Sequence, residues 1–492
     1  MSSSLIYNVN QKPPFWKNLA FAMQQVMSII TATMLVPLLA DASGVYLSQS
    51  AALIGAGIGT IIYLLFTKFK SPVFLGSSFS FILPLITAVE YGYFGIFLGS
   101  VFAGLVYVVL AIIIKFVGSN WINKIMPPVI IGPVVALIGF NLAESAISNL
   151  TSAAGSYNYV AIAVGLLTFF VTIIVSVKGS KTIKMFPFII GIFAGYAVAS
   201  ILTLIGQLTN VEVLQLIDFK VFDKIGNFSN WLPNFTFVGI FTEGASKISS
   251  FGDVMSIFVA FIPIAVVSFA EHIADHKNIS SVIGSDLFVS PGLHRTLLGD
   301  GVGTIIGSFI GGCPTTTYGE SIGCVALSKN ASTKTIFTAS ILCIIIAFFY
   351  PLVVFISSIP SCVIGGVCIA LYGFISVSGL RMMGGVNLSN SKNLFIASSI
   401  FICGIGGLEI KIGSVVFTPL ACALIVGIIT NLLLKPWRKK VNIDEAPEIL
   451  ESSETIADEE KIEQNSHTDA ENQEKSEEII EKIVDSEQKD QT

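Results

Sequence analysis

Glu271 and Glu320 put ionisable side chains into a chain otherwise suited to lipid, and both lie where apolar runs are interrupted. Glu271 follows the apolar run 257–270 directly, and Glu320 follows Pro314-Thr315-Thr316-Thr317-Tyr318-Gly319 between two apolar runs. A charged side chain at the middle of a membrane helix costs roughly 2.5 to 3.5 kcal/mol, so such residues are functional candidates by default. Carboxylates accept hydrogen bonds from ligand N–H groups, and they can take up a proton in one step of a cycle and release it in another. A half-helix beginning near Glu320 would add free backbone N–H groups and a positive dipole end, which suit ligand carbonyl oxygens. The matching ligand is small, planar, and rich in both N–H and C=O.

Blander readings stay open at this point. Glu271 could end a helix at the interface, with Asp275, His276 and Lys277 marking water, and Glu320 could simply favour a helix dipole from the first turn. His272 and His276 read equally as a polar helix end or as a proton relay. The seven cysteines are spread singly along apolar segments, with no pair at metal-ligand spacing, and read as small packing residues. No metal, no cofactor, no nucleic-acid partner and no enzymatic activity are expected.

The elements that must hold these residues are membrane spans. A mean hydropathy of +0.80 with 12% charged residues does not describe a soluble globular chain, whose charged share is about 25%. The net charge of −5 divides unevenly: of 32 acidic residues 14 lie before Val441 and 18 after it, against 23 and 4 basic ones. The chain therefore reads as a basic membrane body with an acidic tail whose composition is that of a disordered segment. The N-terminus shows no removable signal peptide pattern.

Stretches of about 20 mostly apolar residues give fourteen candidate spans. They fall at 18–40, 50–67, 72–89, 94–116, 126–147, 158–177 and 185–206, then at 253–273, 296–312, 315–328, 335–356, 361–379, 393–408 and 414–434. With the N-terminus inside, 19 of the 23 basic residues of the body fall in inward loops, as the positive-inside rule requires. Both termini are then cytoplasmic. The expected order is an N-terminus (1–17), a first seven-span repeat (18–206), an extracellular connector (207–252), a second seven-span repeat (253–434) and the acidic cytoplasmic tail (435–492).

The two halves resemble one another. Met126-Pro127-Pro128-Val129-Ile130-Ile131-Gly132 opens the fifth span and Ile359-Pro360-Ser361-Cys362-Val363-Ile364-Gly365 the twelfth, with Gly139-Phe140 and Gly373-Phe374 following. Seven is odd, so the second copy enters the membrane upside down, the inverted-repeat plan of many secondary transporters. Spans 3 (Pro72 to Pro84) and 10 (Gly311 to Ser321) occupy corresponding places, and their small, β-branched and Pro/Gly residues predict short extended stretches joined to half-helices. Unwound backbone is tolerated at membrane depth only in protein or beside a cavity, so this pair points to the substrate site. The fold class is an all-α polytopic membrane protein, with fourteen transmembrane segments in a 7+7 inverted repeat.

Phe269-Ala270-Glu271-His272-Ile273-Ala274, Pro291-Gly292-Leu293-His294-Arg295 and Thr316-Thr317-Tyr318-Gly319-Glu320-Ser321-Ile322-Gly323 resemble the signature run of uracil permeases in the nucleobase/ascorbate transporter family. Gly76-Ser77-Ser78-Phe79 and the run from Ile364-Gly365-Gly366 to Leu371-Tyr372-Gly373 are similar to the same family, over about residues 15–435. The resemblance implies a core domain of spans 1–4 and 8–11 moving against a gate domain of spans 5–7 and 12–14. It implies uracil import with a co-transported proton at the cell membrane, Glu271 and Glu320 binding the pyrimidine, and backbone groups at Phe79 and Gly319 meeting its carbonyls. Ala32, Tyr318 and Tyr372 would line the pocket, with Glu271, His272, Asp275 and His276 in proton coupling and a homodimer through the gate domain. Related purine carriers have a Gln-Asn pair in place of Glu320-Ser321, which favours a pyrimidine; purine nucleobases such as xanthine or uric acid, and small anions, are the alternatives. The chain departs from the family pattern twice. Asp275 stands where uracil carriers have a histidine four residues after the first glutamate, and Gln24-Gln25 stands where a Gln-His pair is common.

Overall fold

The computed structural model describes residues 5–41, 44–118, 127–153, 156–180, 183–227, 231–412 and 415–434, so the expected acidic tail lies outside the described residues. In the first half α1 (Phe15–Ala40) and α2 (Gln49–Phe66) precede a broken segment, made of β1 (Leu75–Ser77), a short turn of 3-10 helix and α3 (Ile82–Val89). Then come α4 (Gly92–Val117), α5 (Pro128–Thr151), the small ribbon β2 (Ser152–Ala153) and β3 (Ser156–Tyr157), α6 (Tyr159–Lys178) and α7 (Pro187–Thr209). A connector containing α8 (Thr236–Glu243) leads to α9 (Phe251–Ile283), which a Ser250/Asp253 capping box starts. The second half continues with α10 (Leu293–Gly311), β4 (Thr315–Thr317), α11 (Gly319–Ser328), α12 (Thr333–Ala347) and α13 (Tyr350–Ser357). It closes with α14 (Ser361–Met382), α15 (Ser391–Ile405), the hairpin β5 (Ile410–Ile412) and β6 (Val415–Phe417), and α16 (Pro419–Leu433).

Among the described residues eight helices are long and apolar enough to cross a membrane, and a bent pair makes a ninth; spans 3 and 10 are strand-plus-half-helix units, as their composition predicts. Two segments differ from expectation. The eleventh, expected as one span over 335–356, is α12 and α13 meeting at 76°. Pro351 explains the break, because it supplies no N–H to continue the hydrogen-bond ladder of α12 and is suited to the first turn of a new helix, with Phe349 (φ −82°, ψ 79°) leaving helical backbone ahead of it. The eighth, expected to end at 273, continues as α9 to Ile283, since its polar residues after 273 find buried partners.

The packing repeats across the two halves. Span 2 lies on span 9 (α2 on α10), span 5 on span 12 (α5 on α14), and β1 pairs with β4. Further contacts come in matching pairs: α1 with α12 and α9 with α4, α6 with α7 and α15 with α16, α14 with α6 and α5 with α15. Exchange of this kind is what two copies related by a twofold axis in the membrane plane produce. Pro127 and Pro360 hold the same extended backbone ahead of α5 and α14, so the repeated Pro/Gly motifs start equivalent helices, although Met126 lies outside the described residues.

Glycine faces make the self-paired seams close. A Cβ on Gly55 would lie 2.5 Å from the Gly307 carbonyl oxygen, and one on Gly311 would lie 2.4 Å from that of Ala51. Membrane helices pack through such small residues because lipid supplies no hydrophobic drive between them. Gly307→Leu is accordingly expected to destabilise the purified protein by about 1–3 kcal/mol or more, the range for overpacking. Gly373→Ala, where a Cβ meets nothing within 4 Å, should leave thermal unfolding unchanged. Equal melting curves for the two variants would contradict the close seam.

The N-terminal segment packs against the α11–α12 loop, with the Ile6 N–H on the Lys329 carbonyl at 2.8 Å and the Ala331 N–H on that of Tyr7 at 2.9 Å. Lys70 donates to Ser290 Oγ at 2.9 Å. Segments that the charge bias assigns to one side thus meet each other.

Candidate functional site

The site is built around the β1–β4 ribbon, antiparallel with Leu75 opposite Thr317, Gly76 opposite Thr316 and Ser77 opposite Thr315. Its ends are extended by the Ser78 N–H on the Pro314 carbonyl (2.9 Å) and the Tyr318 N–H on the Phe74 carbonyl (3.3 Å). Gly311-Gly312-Cys313-Pro314 forces the chain out of helix before the β-branched threonines, with Gly312 at φ +77° closing α10. All ribbon residues are buried, so their backbone groups pair with each other where water cannot serve. After the ribbon α11 begins with no side-chain cap, leaving the backbone N–H groups of its first turn for a ligand. Glu320 lies in that turn. Gly319 is exposed, and a Cβ there would meet nothing within 4 Å, so its backbone faces open space.

Helix α9 sends two stripes of polar residues to different neighbours, because positions four apart share a face. Glu271 and Asp275 face the ribbon. Ser80 Oγ donates to the Glu271 carboxylate, 3.3 Å from each oxygen, and Thr317 Oγ1 donates to Asp275 Oδ2 at 2.7 Å. Glu271 is mid-helix, which removes the helix-end reading. The next face carries His272 and His276, both buried and turned toward α2 and α10. His272 Nδ1 lies 2.8 Å from Asp300 Oδ2, and its Nε2 lies 3.0 Å from Thr296 Oγ1. His276 Nδ1 donates to the His272 carbonyl at 2.7 Å, which leaves Nε2 to accept from the Tyr63 hydroxyl, also at 2.7 Å. Ser71 extends this chain, 2.7 Å from the Tyr63 oxygen. The two imidazoles stack at 4.0 Å between ring centroids. Asp275 is within electrostatic reach of Glu271, Glu320 and Asp300, and Glu271 of Glu320, so acidic side chains crowd one region.

A cavity of about 150 Å3 opens beside Glu320. Thr31 and Ala32 of α1, Gly323 and Cys324 of α11, and Lys184, Phe186 and Phe188 at the start of α7 line it; Glu271 does not. The remaining candidates lie apart from one another. Phe79 is half-buried in the turn after β1. Tyr318 folds back over Gly76 and donates its hydroxyl to the Ser77 carbonyl, away from the cavity. Tyr372 is 2% exposed inside the apolar core around α5 and α14, and it does not line this cavity.

Two polar residues beside the site are not among the sequence candidates. Gln25, one of the two departures from the family pattern, donates its Nε2 to Ser321 Oγ and to the Ser321 carbonyl, the latter at 3.2 Å. Ser321 Oγ also accepts the Phe74 N–H at 3.0 Å, so one hydroxyl ties α1, β1 and α11 together beside Glu320. Asp300, buried on α10, is the other. It lies inside the expected ninth span, where the cost argument that singles out Glu271 applies to it equally.

This ribbon between two half-helices, at the junction of inverted repeats, defines a multi-spanning membrane permease. The chain belongs to the permease family whose model (Xan_ur_permease) matches residues 17–412. It is 36% identical over 434 residues to the uracil permease of Bacillus caldolyticus, covering 87% of this chain and 94% of that one. The uracil permease of Bacillus subtilis (strain 168) is also 36% identical, over 89% of this chain and 96% of its own. That of Escherichia coli (strain K12) is 31% identical, over 87% and 93%. Among solved structures, the transmembrane domain of the cyanobacterium bicarbonate transporter BicA superposes with a TM-score of 0.54 at 14% identity, covering 86% of this chain and all of that domain. SLC26A9 gives 0.55 at 13%, over 85% of this chain and 64% of its own. These neighbours share the inverted-repeat fold.

Proposed function

We propose that this permease imports uracil with a proton across the cell membrane by alternating access. The observation that carries the reading is Glu320, which presents a carboxylate to a cavity beside the uncapped N-terminus of α11. Uracil offers N–H groups to the first and carbonyl oxygens to the second. The relatives named uracil permease support the substrate. Glu271, Phe79, Gly319, Tyr318, Ala32 and Tyr372 complete the candidate contacts; of these Ala32 lines the cavity in this conformation, and the others would reach the ligand as the two domains move. Helices α1–α4 with α9–α13 form the core, α5–α7 with α14–α16 the gate, and their relative movement exposes the site to each side in turn. Asp275 takes the coupling role that a histidine has in the resemblance, with His272 and His276 behind it. Both termini are cytoplasmic, and a gate-domain homodimer is compatible with this division.

The test is uptake of labelled uracil into cells or proteoliposomes. Uptake is expected to collapse on adding a protonophore and to be competed by unlabelled uracil, with xanthine, sulfate and dicarboxylates without effect. Gradient-independent uptake would remove the proton while leaving the substrate, and competition by xanthine would shift the reading to purines. An anion carrier on this fold, as with bicarbonate in BicA, is disfavoured because Glu320 at the cavity wall, with Glu271 and Asp275 near it, outweighs the single positive charge of Lys184 that also lines the cavity.

A further inference from the structure

We propose that one acyl chain of a membrane phospholipid occupies the crevice between α1 and α7 and wedges it open. The exchange of contacts between the two halves is incomplete, and one of the places where it fails lies beside Glu320. Helix α9 packs on β6 and α16, whereas its counterpart α1 stands off from α7, the counterpart of α16. Between them lies a second cavity of about 330 Å3, continuous with the first through Met27, Thr31 and Ile189. Leu35 and Leu38 of α1, Ile192 and Phe193 of α7, and Phe355 and Ile356 at the end of α13 form its walls.

The occupant follows from the lining and from where the crevice opens. Among the described residues Thr31 is its single lining residue with a polar side chain, so water would find too few partners there. Met23, Met27, Phe193 and Phe349, 40%, 41%, 56% and 54% exposed, form its rim on the outward surface of spanning helices. The crevice is thus continuous with the face that meets the bilayer, and hydrocarbon chains are the apolar material present there. The volume is at the lower end of the roughly 300–1,000 Å3 typical of ligand pockets. The consequence rests on the alternating-access reading above. If the two halves exchange conformations, α1 must close on α7 as α9 now closes on α16, and an inserted chain must leave first.

Trp231 supplies a reporter, with ring centroids 6.4 Å from Phe349 and 6.5 Å from Tyr350. In the full-length protein with Trp16→Phe, Trp121→Phe and Trp437→Phe, lipids brominated on the acyl chain are expected to quench Trp231. Filling the crevice with Ile346→Phe and Leu352→Phe should abolish that quenching. Quenching that is absent, or unchanged in the filled variant, overturns the proposal. Native mass spectrometry of the delipidated wild type is the independent measurement, expected to show one retained phospholipid per chain; none retained overturns it even where the filled variant does not fold. Uracil uptake should rise severalfold in bilayers of methyl-branched chains too broad to enter, and equal rates would overturn the wedge. Both binding readouts are independent of transport, so their failure is distinguishable from failure of the uracil reading.

Discussion

Glu320→Gln is expected to abolish the thermal stabilisation that uracil gives the purified protein. A ligand that binds only the folded state adds RT ln(1 + [L]/Kd), about 2.7 kcal/mol at a hundredfold excess over Kd. Hydrogen bonds to a charged group contribute about 1.5–3 kcal/mol each, and an amide turns one acceptor oxygen into an NH2 that faces the donors of the base. Losing one such hydrogen bond, with a donor then facing a donor, corresponds to roughly a hundredfold in affinity. The fold itself should not suffer. Glu320 makes no side-chain ion pair among the described residues, and replacing a half-buried charge by a neutral isostere removes a desolvation cost. The variant should therefore melt at or above the wild-type temperature without uracil and show no shift with it. An unchanged uracil-dependent shift would take Glu320 out of the site. Glu271→Gln is a weaker perturbation of the same kind, since Ser80 already occupies part of that carboxylate.

Charge at membrane depth is so costly that Glu271 and Glu320 stand out by position, as Asp300 does by the same argument, and the Pro/Gly/Thr composition of spans 3 and 10 is enough to place the ribbon. The register of that ribbon is not legible, because it depends on two segments more than 230 residues apart meeting across a twofold axis. The glycines of α2 and α10 are visible as letters, but which carbonyl each one approaches is a property of the seam. Gln25 cannot be interpreted from one chain, since its partner Ser321 comes from the opposite repeat. The bend between α12 and α13, by contrast, has a local cause in Pro351. The charge bias and the contact of the N-terminal segment with residues 329–333 agree because both express which loops share a side. The same exchange of contacts also shows where the halves differ, and that difference, α1 standing off from α7, is where the Glu320 cavity opens.

The second large effect concerns Asp275. Thr317 on β4 donates to its carboxylate, and Glu271 and Glu320 are close enough for each charge to raise the cost of the others. Three carboxylates in one apolar region do not all stay ionised without cations, and among the described residues no Lys or Arg is paired with any of them. A proton arriving with substrate relieves that repulsion most at the group that does not contact the ligand, which is the place of Asp275 behind Glu271. Asp275→Asn fixes the position in its neutral form and keeps the hydrogen bond from Thr317. It is expected to retain uracil binding and uracil–uracil exchange but to lose accumulation. Each 1.4 kcal/mol of proton driving force supports about tenfold accumulation, so the ratio of internal to external uracil should fall from about tenfold or more to unity. Asp275→His, which restores a titratable group, should recover protonophore-sensitive accumulation with a changed pH profile. Thr317→Val separates the alternatives: it removes the donor without removing the titratable group, so coupling should persist while the pH profile moves. Full accumulation by Asp275→Asn would assign the proton to Glu271 or Glu320 instead. Loss of exchange as well as accumulation would make Asp275 a structural support of the ribbon, with Thr317→Val then failing in the same way.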